Sequence, residues 1–283
     1  MNELQTKQLE ILKFFIKICE KHNLTYFLIA GTALGAVRHK GFIPWDDDID
    51  VALPREDYDK LMTLTHEFEG TNYFLQNYNT DPKYIYNYAK IRDSSTTYIE
   101  NYFATYQINH GVWVDIFPFD GVSLEEETNL KKFHGKVKAS WAQVWLEYGY
   151  GLRRKFSKRT WLKDLVINLF AYPWFWTNIN HYRNKLIDKK VTRVPYKDAK
   201  LVGNFFGIYG YKEIMPKEVF LEGTKGIFEG VEVNLPKDYD RYLTIMYGDY
   251  MKLPPEHKRV GHHKHAGFSL TKGYEEFRKE RRM

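Results

Sequence analysis

Residues 42–54 read FIPWDDDIDVALP, with four aspartates inside five positions of an otherwise apolar stretch. Carboxylates this close repel one another and are costly to bury unless a cation or a hydrogen-bond network balances them. The apolar residues set the register. In a strand, alternate side chains share a face, so Asp48 and Asp50 point one way while Ile49 and Val51 point into a core. Two carboxylates side by side at a strand end, just after a turn at Pro44-Trp45, suit a divalent cation. Magnesium is the expected ion, with manganese as its substitute, because it takes one or two carboxylates and completes its shell with water and substrate phosphates. An EF-hand does not fit: Val51 stands where the loop needs glycine, and Asp57 where it needs a bidentate glutamate. A solvated acidic turn is the other alternative, and it accounts poorly for the alternation of Ile49, Val51 and Leu53 with the acids.

The segment upstream, FLIAGTALGAVRHKG, predicts a buried strand running into Gly31-Thr32 and then a short helix closed by Gly41. Backbone N–H groups and a hydroxyl at a helix N-terminus make a seat for phosphate. Before that, Leu9, Leu12, Phe15, Ile16 and Cys19 recur at helical spacing, which predicts an amphipathic first helix ending near His22-Asn23. After the acidic strand, PREDYDKL opens another helix with Pro54 and acids in its first turn. Further strands are expected at YIYNYAKIR and GVWVDIFPF. In the second, Asp115 lies between Val114 and Ile116, either as a hydrogen-bonded core residue or as a third carboxylate of the site; Asp120, past Pro118, reads as a turn or cap.

Strand, Gly-Thr, helix and then Asp-x-Asp on the next strand is the pattern of the nucleotidyltransferase fold. FLIAGTALGAVRHKGFIPWDDDIDVALPREDYDKL resembles, more closely, the hallmark segment of the LicD family of phosphocholine transferases, whose distant relatives include the fukutin-type ribitol-phosphate transferases. AKIRDSSTTYI, VWVDIFPFDGV and YLTIMYGDYMKLPPEHKR resemble further family segments in the same order, so the similarity runs from about residue 20 to 260 and is weakest between 125 and 200. Thr32 stands where the wider superfamily more often has Ser.

The resemblance implies an α+β fold: a nucleotidyltransferase-like mixed sheet flanked by helices, with a helical, aromatic-rich insertion. The catalytic core would span 1–123 and the basic, aromatic region 124–200, with 201–283 completing the same domain. It implies magnesium-dependent transfer of a phospho-alcohol from a CDP-alcohol such as CDP-choline to a hydroxyl of a glycan, teichoic-acid or lipopolysaccharide precursor, releasing CMP. Asp48, Asp50 and Asp115 would be catalytic and hold the metal. Gly31 and Thr32 would seat phosphate, Lys90 and Arg92 would face it together, and Arg38 and His39 are further phosphate candidates. Trp45, Tyr84, Tyr86 and Trp113 are candidates for a box around choline, since a quaternary ammonium prefers aromatic faces. A nucleotidyltransferase that moves a nucleoside monophosphate to a sugar, drug or RNA uses the same acids and stays open, as does a non-catalytic basic module.

The chain as a whole bears on location and partners. A net charge of +6 suits an anionic partner, whether nucleotide, nucleic acid, anionic polymer or anionic lipid, and does not choose among them; with the resemblance, no nucleic-acid partner is expected. A lone cysteine, Cys19, leaves no internal disulfide, and neither a signal peptide nor an 18-residue apolar run is seen, so a cytoplasmic protein is expected. RRKFSKR at 153–159, followed by Trp161, Phe170, Trp174, Phe175 and Trp176, reads either as a core helix or as an element resting on an anionic membrane at the inner face, where an acceptor carried on a polyprenyl lipid would be met. HHKH at 262–265 reads as a solvated tail.

Overall fold

The computed structural model describes residues 1–104, 106–123, 179–261 and 263–281. The segment 124–178, with the expected helix to Tyr148 and the basic, aromatic run, lies outside the described residues.

The first helix, α1 (Glu3–His22), is closed at its start by a capping box in which Asn2 and Gln5 exchange hydrogen bonds, and at its end by Asn23 in the left-handed conformation. Its buried stripe of Leu9, Leu12, Phe15, Ile16 and Cys19 packs on the sheet, as the periodicity predicts. A two-residue strand, β1 (Phe27–Leu28), leads into α2 (Ala30–His39). The helix is stopped by Lys40, whose φ is +59°, with Gly41 following outside it, so the stop lies one residue before the expected glycine. Gly35 is required for packing rather than for the turn: a Cβ there would lie 2.4 Å from the Gly41 carbonyl oxygen.

β2 (Asp50–Pro54) runs into α3 (Arg55–Thr63). β3 (Tyr73–Gln76), β4 (Ala89–Asp93) and β5 (Thr97–Glu100) come next, followed by the long β6 (Val112–Val122). The main sheet has the order β1-β2-β6-β4-β3, with β2 and β6 parallel and the other pairs antiparallel. It is a mixed sheet beside helices, an α+β fold. The far end of β6 pairs with β7 (Leu201–Gly203), which pairs with β8 (Ile214–Pro216). α4 (Ile179–Val191) lies before them in the chain, and β9 (Thr224–Phe228) and β10 (Val231–Leu235) form a hairpin after them. α5 (Tyr239–Tyr247) packs against α2, and α6 (Tyr274–Arg281) follows β11 (His265–Ser269), which returns to pair with β5.

Three expectations are corrected. YIYN is not strand; β4 starts only at Ala89. Asp120 is no turn residue: β6 continues through Pro118, and Asp120 is completely buried against Arg55. A proline is tolerated there because its missing N–H removes one donor from a strand whose other groups find partners in β2 and β7. The HHKH tail is not free, because β11 begins at His265 and draws His263 into the body of the protein.

Candidate active site

The register of three strands builds the floor of the site. Asp50 on β2 is the Cα partner of Asp115 on β6, and Asp115 is the partner of Lys90 on β4. Three charged side chains therefore stand in a row across the sheet, on one face. Asp48 lies two residues before Asp50, in the extended segment ahead of β2 rather than within the strand. Carboxylate oxygens of Asp48, Asp50 and Asp115 all lie within 4.8 Å of one another. On the opposite face Ile49, Val51 and Leu53 are completely buried, as the alternation predicts.

The acidic loop is held by its backbone. Gln5 and Gln8 of α1 donate side-chain hydrogen bonds to the carbonyls of Asp46 (3.0 Å) and Asp47 (2.7 Å). The Asp46 N–H closes a turn on the Ile43 carbonyl at 2.9 Å, and Thr32 Oγ1 accepts from the Asp50 N–H at 2.8 Å. Thr32 is buried and does not face the cavity, so the hydroxyl expected to seat phosphate instead ties α2 to the start of β2. Gly31 does face the cavity. A Cβ there would lie 2.7 Å from Asp46 Oδ2, so a larger residue would make the Asp46 carboxylate shift. Ala30 just before it has φ of +48°, a conformation costly for a residue with a Cβ, and its N–H donates to Tyr242 Oη at 2.9 Å.

The electrostatics are unbalanced toward negative charge. Burial, reinforced by Asp46 and Asp115, pushes the Asp48 carboxyl up to about 8 despite the nearby His263. Asp50 is raised well above the carboxylate range by burial and by Asp48 and Asp115, and Asp46 is raised to about 6, chiefly by burial. Lys90 is the cation at the centre. It is almost wholly buried, with Nζ 2.8 Å from Asp115 Oδ1, 3.9 Å from Glu100 and 4.3 Å from the centre of the Trp113 ring system. Glu100 is pushed up by burial, but Lys90 and Arg92 outweigh this and hold it below its usual range.

A cavity of about 950 Å³ opens above this floor. Of the residues expected from sequence, Gly31, Arg38, Trp45, Asp48, Asp50, Tyr86, Lys90 and Asp115 line it. Arg92 does not: it is completely buried and bonded to Gln76, the Gly111 carbonyl and Glu100, so it positions Glu100 rather than facing phosphate. Tyr84 and Trp113 are likewise completely buried and outside the cavity wall. Trp113 Nε1 donates to Asp115 Oδ2 at 2.8 Å, which orients the carboxylate. His39 lies edge-on to Trp45 and away from the cavity. Arg38 reaches the wall, and its Nη1 donates to the Tyr250 carbonyl at 2.6 Å.

Sequence reading missed Asp46, Tyr88, Glu100 and His263, all of which line the cavity. His263 Nδ1 is 2.9 Å from Asp47 and 3.8 Å from Asp48. Burial works to lower the imidazolium, yet the bond to Asp47 and the charges of Asp48 and Glu100 raise it to about 9. Asp46 was in view within the acid run, and HHKH was visible as a cluster. Only the β5–β11 pairing brings that cluster to the acids.

Residues 23–148 match the family described as LicD/FKTN/FKRP, nucleotidyltransferase domain. The lipopolysaccharide cholinephosphotransferase LicD of Haemophilus influenzae is 31% identical across 95% of this chain and 98% of its own length. Uncharacterized proteins of Rickettsia prowazekii and Rickettsia typhi are 39% and 34% identical, over 23% and 24% of this chain and 24% and 22% of their own lengths. With a relationship that runs end to end, the chain belongs to the LicD family.

Proposed function

We propose that this LicD-family enzyme transfers phosphocholine from CDP-choline to a hydroxyl of a cell-surface glycan, a lipopolysaccharide or teichoic-acid precursor, and releases CMP. The observation that carries the reading is the convergence of Asp48, Asp50 and Asp115 beside Lys90 at the floor of a cavity of about 950 Å³. That volume suits a nucleotide-sized donor. The similarity to the Haemophilus lipopolysaccharide cholinephosphotransferase supports choline as the cargo and lipopolysaccharide among the acceptors.

The three carboxylates fit a magnesium or manganese ion. They form a hard, all-oxygen donor set within 4.8 Å, and their mutual repulsion is what a divalent cation relieves. Bound magnesium would screen the donor's diphosphate and the charge that develops on the departing CMP. Asp115, with Oδ2 taken by Trp113 and Oδ1 facing Lys90, is the most rigidly oriented of the three. Lys90 would compensate charge on the transferred phosphoryl oxygens. The acceptor oxygen attacks the phosphorus that bears choline, a new phosphodiester forms, the bond to CMP breaks, and the proton passes to a carboxylate of the acid run. Basic groups at the cavity mouth, Lys252 and Lys258, suit an anionic acceptor. No helix among the described residues is long and apolar enough to cross a membrane, and a peripheral position at the cytoplasmic face would bring the enzyme to a polyprenyl-linked acceptor.

The test is product analysis. The protein is incubated with magnesium, an acceptor preparation, and CDP-choline, CDP-ribitol or CDP-glycerol in turn. CMP released with CDP-choline in preference to the others supports the reading. Pyrophosphate released from a nucleoside triphosphate would assign nucleotidyl transfer instead, and no product in either assay would remove both.

A further inference from the structure

Asp46, Asp48 and Asp50 line the cavity, and Asp47, which sits among them in the chain, does not. Asp47 turns the other way and tethers the acid run at its middle. Its carbonyl accepts from Gln8 Nε2 at 2.7 Å. Its carboxylate meets one residue from the far end of the chain twice. The His263 N–H donates to Oδ2 at 2.9 Å, and the ring Nδ1 lies 2.9 Å from Oδ1. Gly261 gives the approach its room, since a Cβ there would lie 2.6 Å from Asp47 Oδ2.

His263 is itself held in place. Tyr98 Oη donates to its carbonyl at 3.0 Å, the Asn101 N–H donates to the Lys264 carbonyl at 3.0 Å, and from His265 onward the chain pairs with β5. The His263 ring stands edge-on to Trp113 at 5.3 Å, and Trp113 is the residue whose Nε1 bonds Asp115. One side chain therefore meets the supports of two of the three clustered carboxylates: Asp47 precedes Asp48 in the chain, and Trp113 orients Asp115. The cluster needs such support, because carboxylates within 4.8 Å of one another spread apart unless the structure around them forbids it. Partners behind the ligating groups are what fix a metal site's spacing before the ion arrives.

We propose that His263 is a positioning residue of the metal site: through Asp47 and Trp113 it holds Asp48 and Asp115 at the spacing a divalent cation takes. The proposal rests on the metal reading above, and it extends that site to a residue well beyond the segment 23–148 that matches the family model.

The probe is manganese, titrated into metal-free protein without substrate and followed by the electron paramagnetic resonance signal of the free ion. His263→Leu removes the ring bond to Asp47 and keeps an apolar side chain. His263→Asn places an N–H near the position of Nδ1. His263→Leu should weaken manganese binding about tenfold, and His263→Asn should recover it to within about threefold of wild type. A residue needed only for stability would lower the melting temperature and leave the affinity of the folded protein unchanged, which would overturn the proposal. Tighter binding in His263→Leu would make the imidazole a mere competitor of the cation, and would overturn it too. If His263→Leu proves unfolded by circular dichroism, Gly261→Ala presses on Asp47 Oδ2 and leaves the ring in place; it should also weaken manganese binding, and unchanged affinity there would count against the proposal in the same way. Wild-type protein that binds no manganese would overturn the metal reading itself, and the positioning role with it.

Discussion

Two aspartates on β6, Asp115 and Asp120, meet opposite fates five residues apart on the same strand. Asp120 is completely buried and gripped by Arg55 through two bonds, Nε to Oδ1 at 2.6 Å and Nη2 to Oδ2 at 2.8 Å. Charge is matched there, geometry is bidentate, and the pair is sealed from water, which is how a structural ion pair is built. Asp115 faces a cavity, shares one cation with Glu100, and stands within 4.8 Å of Asp48 and Asp50. Sequence neighbourhood does not separate the two residues. What separates them is whether the fold supplies enough positive charge, and the end where it does not is the end that can take up a cation and a phosphate.

The sharpest way to break this contrast is to neutralise the unbalanced end. Asp48→Asn or Asp50→Asn should lower turnover by about 1000-fold or more, since a transition state that builds charge loses a fixed ligand. The melting temperature in metal-free buffer should hold or rise, because repulsion is relieved. Near-normal activity at ordinary magnesium would remove both residues from the metal site.

At the balanced end the expectation reverses. Asp120→Ala leaves Arg55 buried without its partner and should cost about 3–5 kcal/mol in denaturant unfolding, while kcat of the folded fraction stays unchanged. A stable but inactive variant would mean that Asp120 belongs to the chemistry.

Trp113→Phe tests a finer point, the bond from Nε1 to Asp115 at 2.8 Å. If Asp115 holds the proposed magnesium, loss of the partner that orients it should raise the magnesium concentration for half-maximal activity about tenfold, with a smaller change in stability. An unchanged magnesium requirement would make Trp113 mere packing.

The smallest effect concerns pH. Asp46 and Asp48 titrate at about 6 and about 8 in the folded protein, above the ordinary carboxylate value that the unfolded chain has, and His263 at about 9 is likewise raised. Each group binds more protons folded than unfolded, so the stability it contributes is present at low pH and is lost as pH rises through its folded value. Metal-free protein should therefore lose a few degrees in melting temperature between roughly pH 6 and 9. Magnesium should flatten that slope by favouring the ionised carboxylates, and an apo protein with no slope over this window would show the acids to be balanced after all.

Short-range spacing carried a large share of these features. The alternation of Ile49, Val51 and Leu53 with aspartates set one face to the core and one to the site, and the stripe on α1 set its packing face. Such features depend on residues a few positions apart, whose relative placement is dictated by the period of a strand or helix. Tertiary structure alone decided which cations reach the acids. Lys90 and Arg92 share a strand face, yet only Lys90 reaches the cavity, because Gln76, Gly111 and Glu100 enclose Arg92. His263 arrives from 216 positions beyond Asp47 through the pairing of β11 with β5. Trp113 turned inward to hold Asp115 while Tyr88 took a place in the cavity wall. Strand order and burial are properties of the whole chain's packing, and no local pattern states which side chain a distant strand will meet.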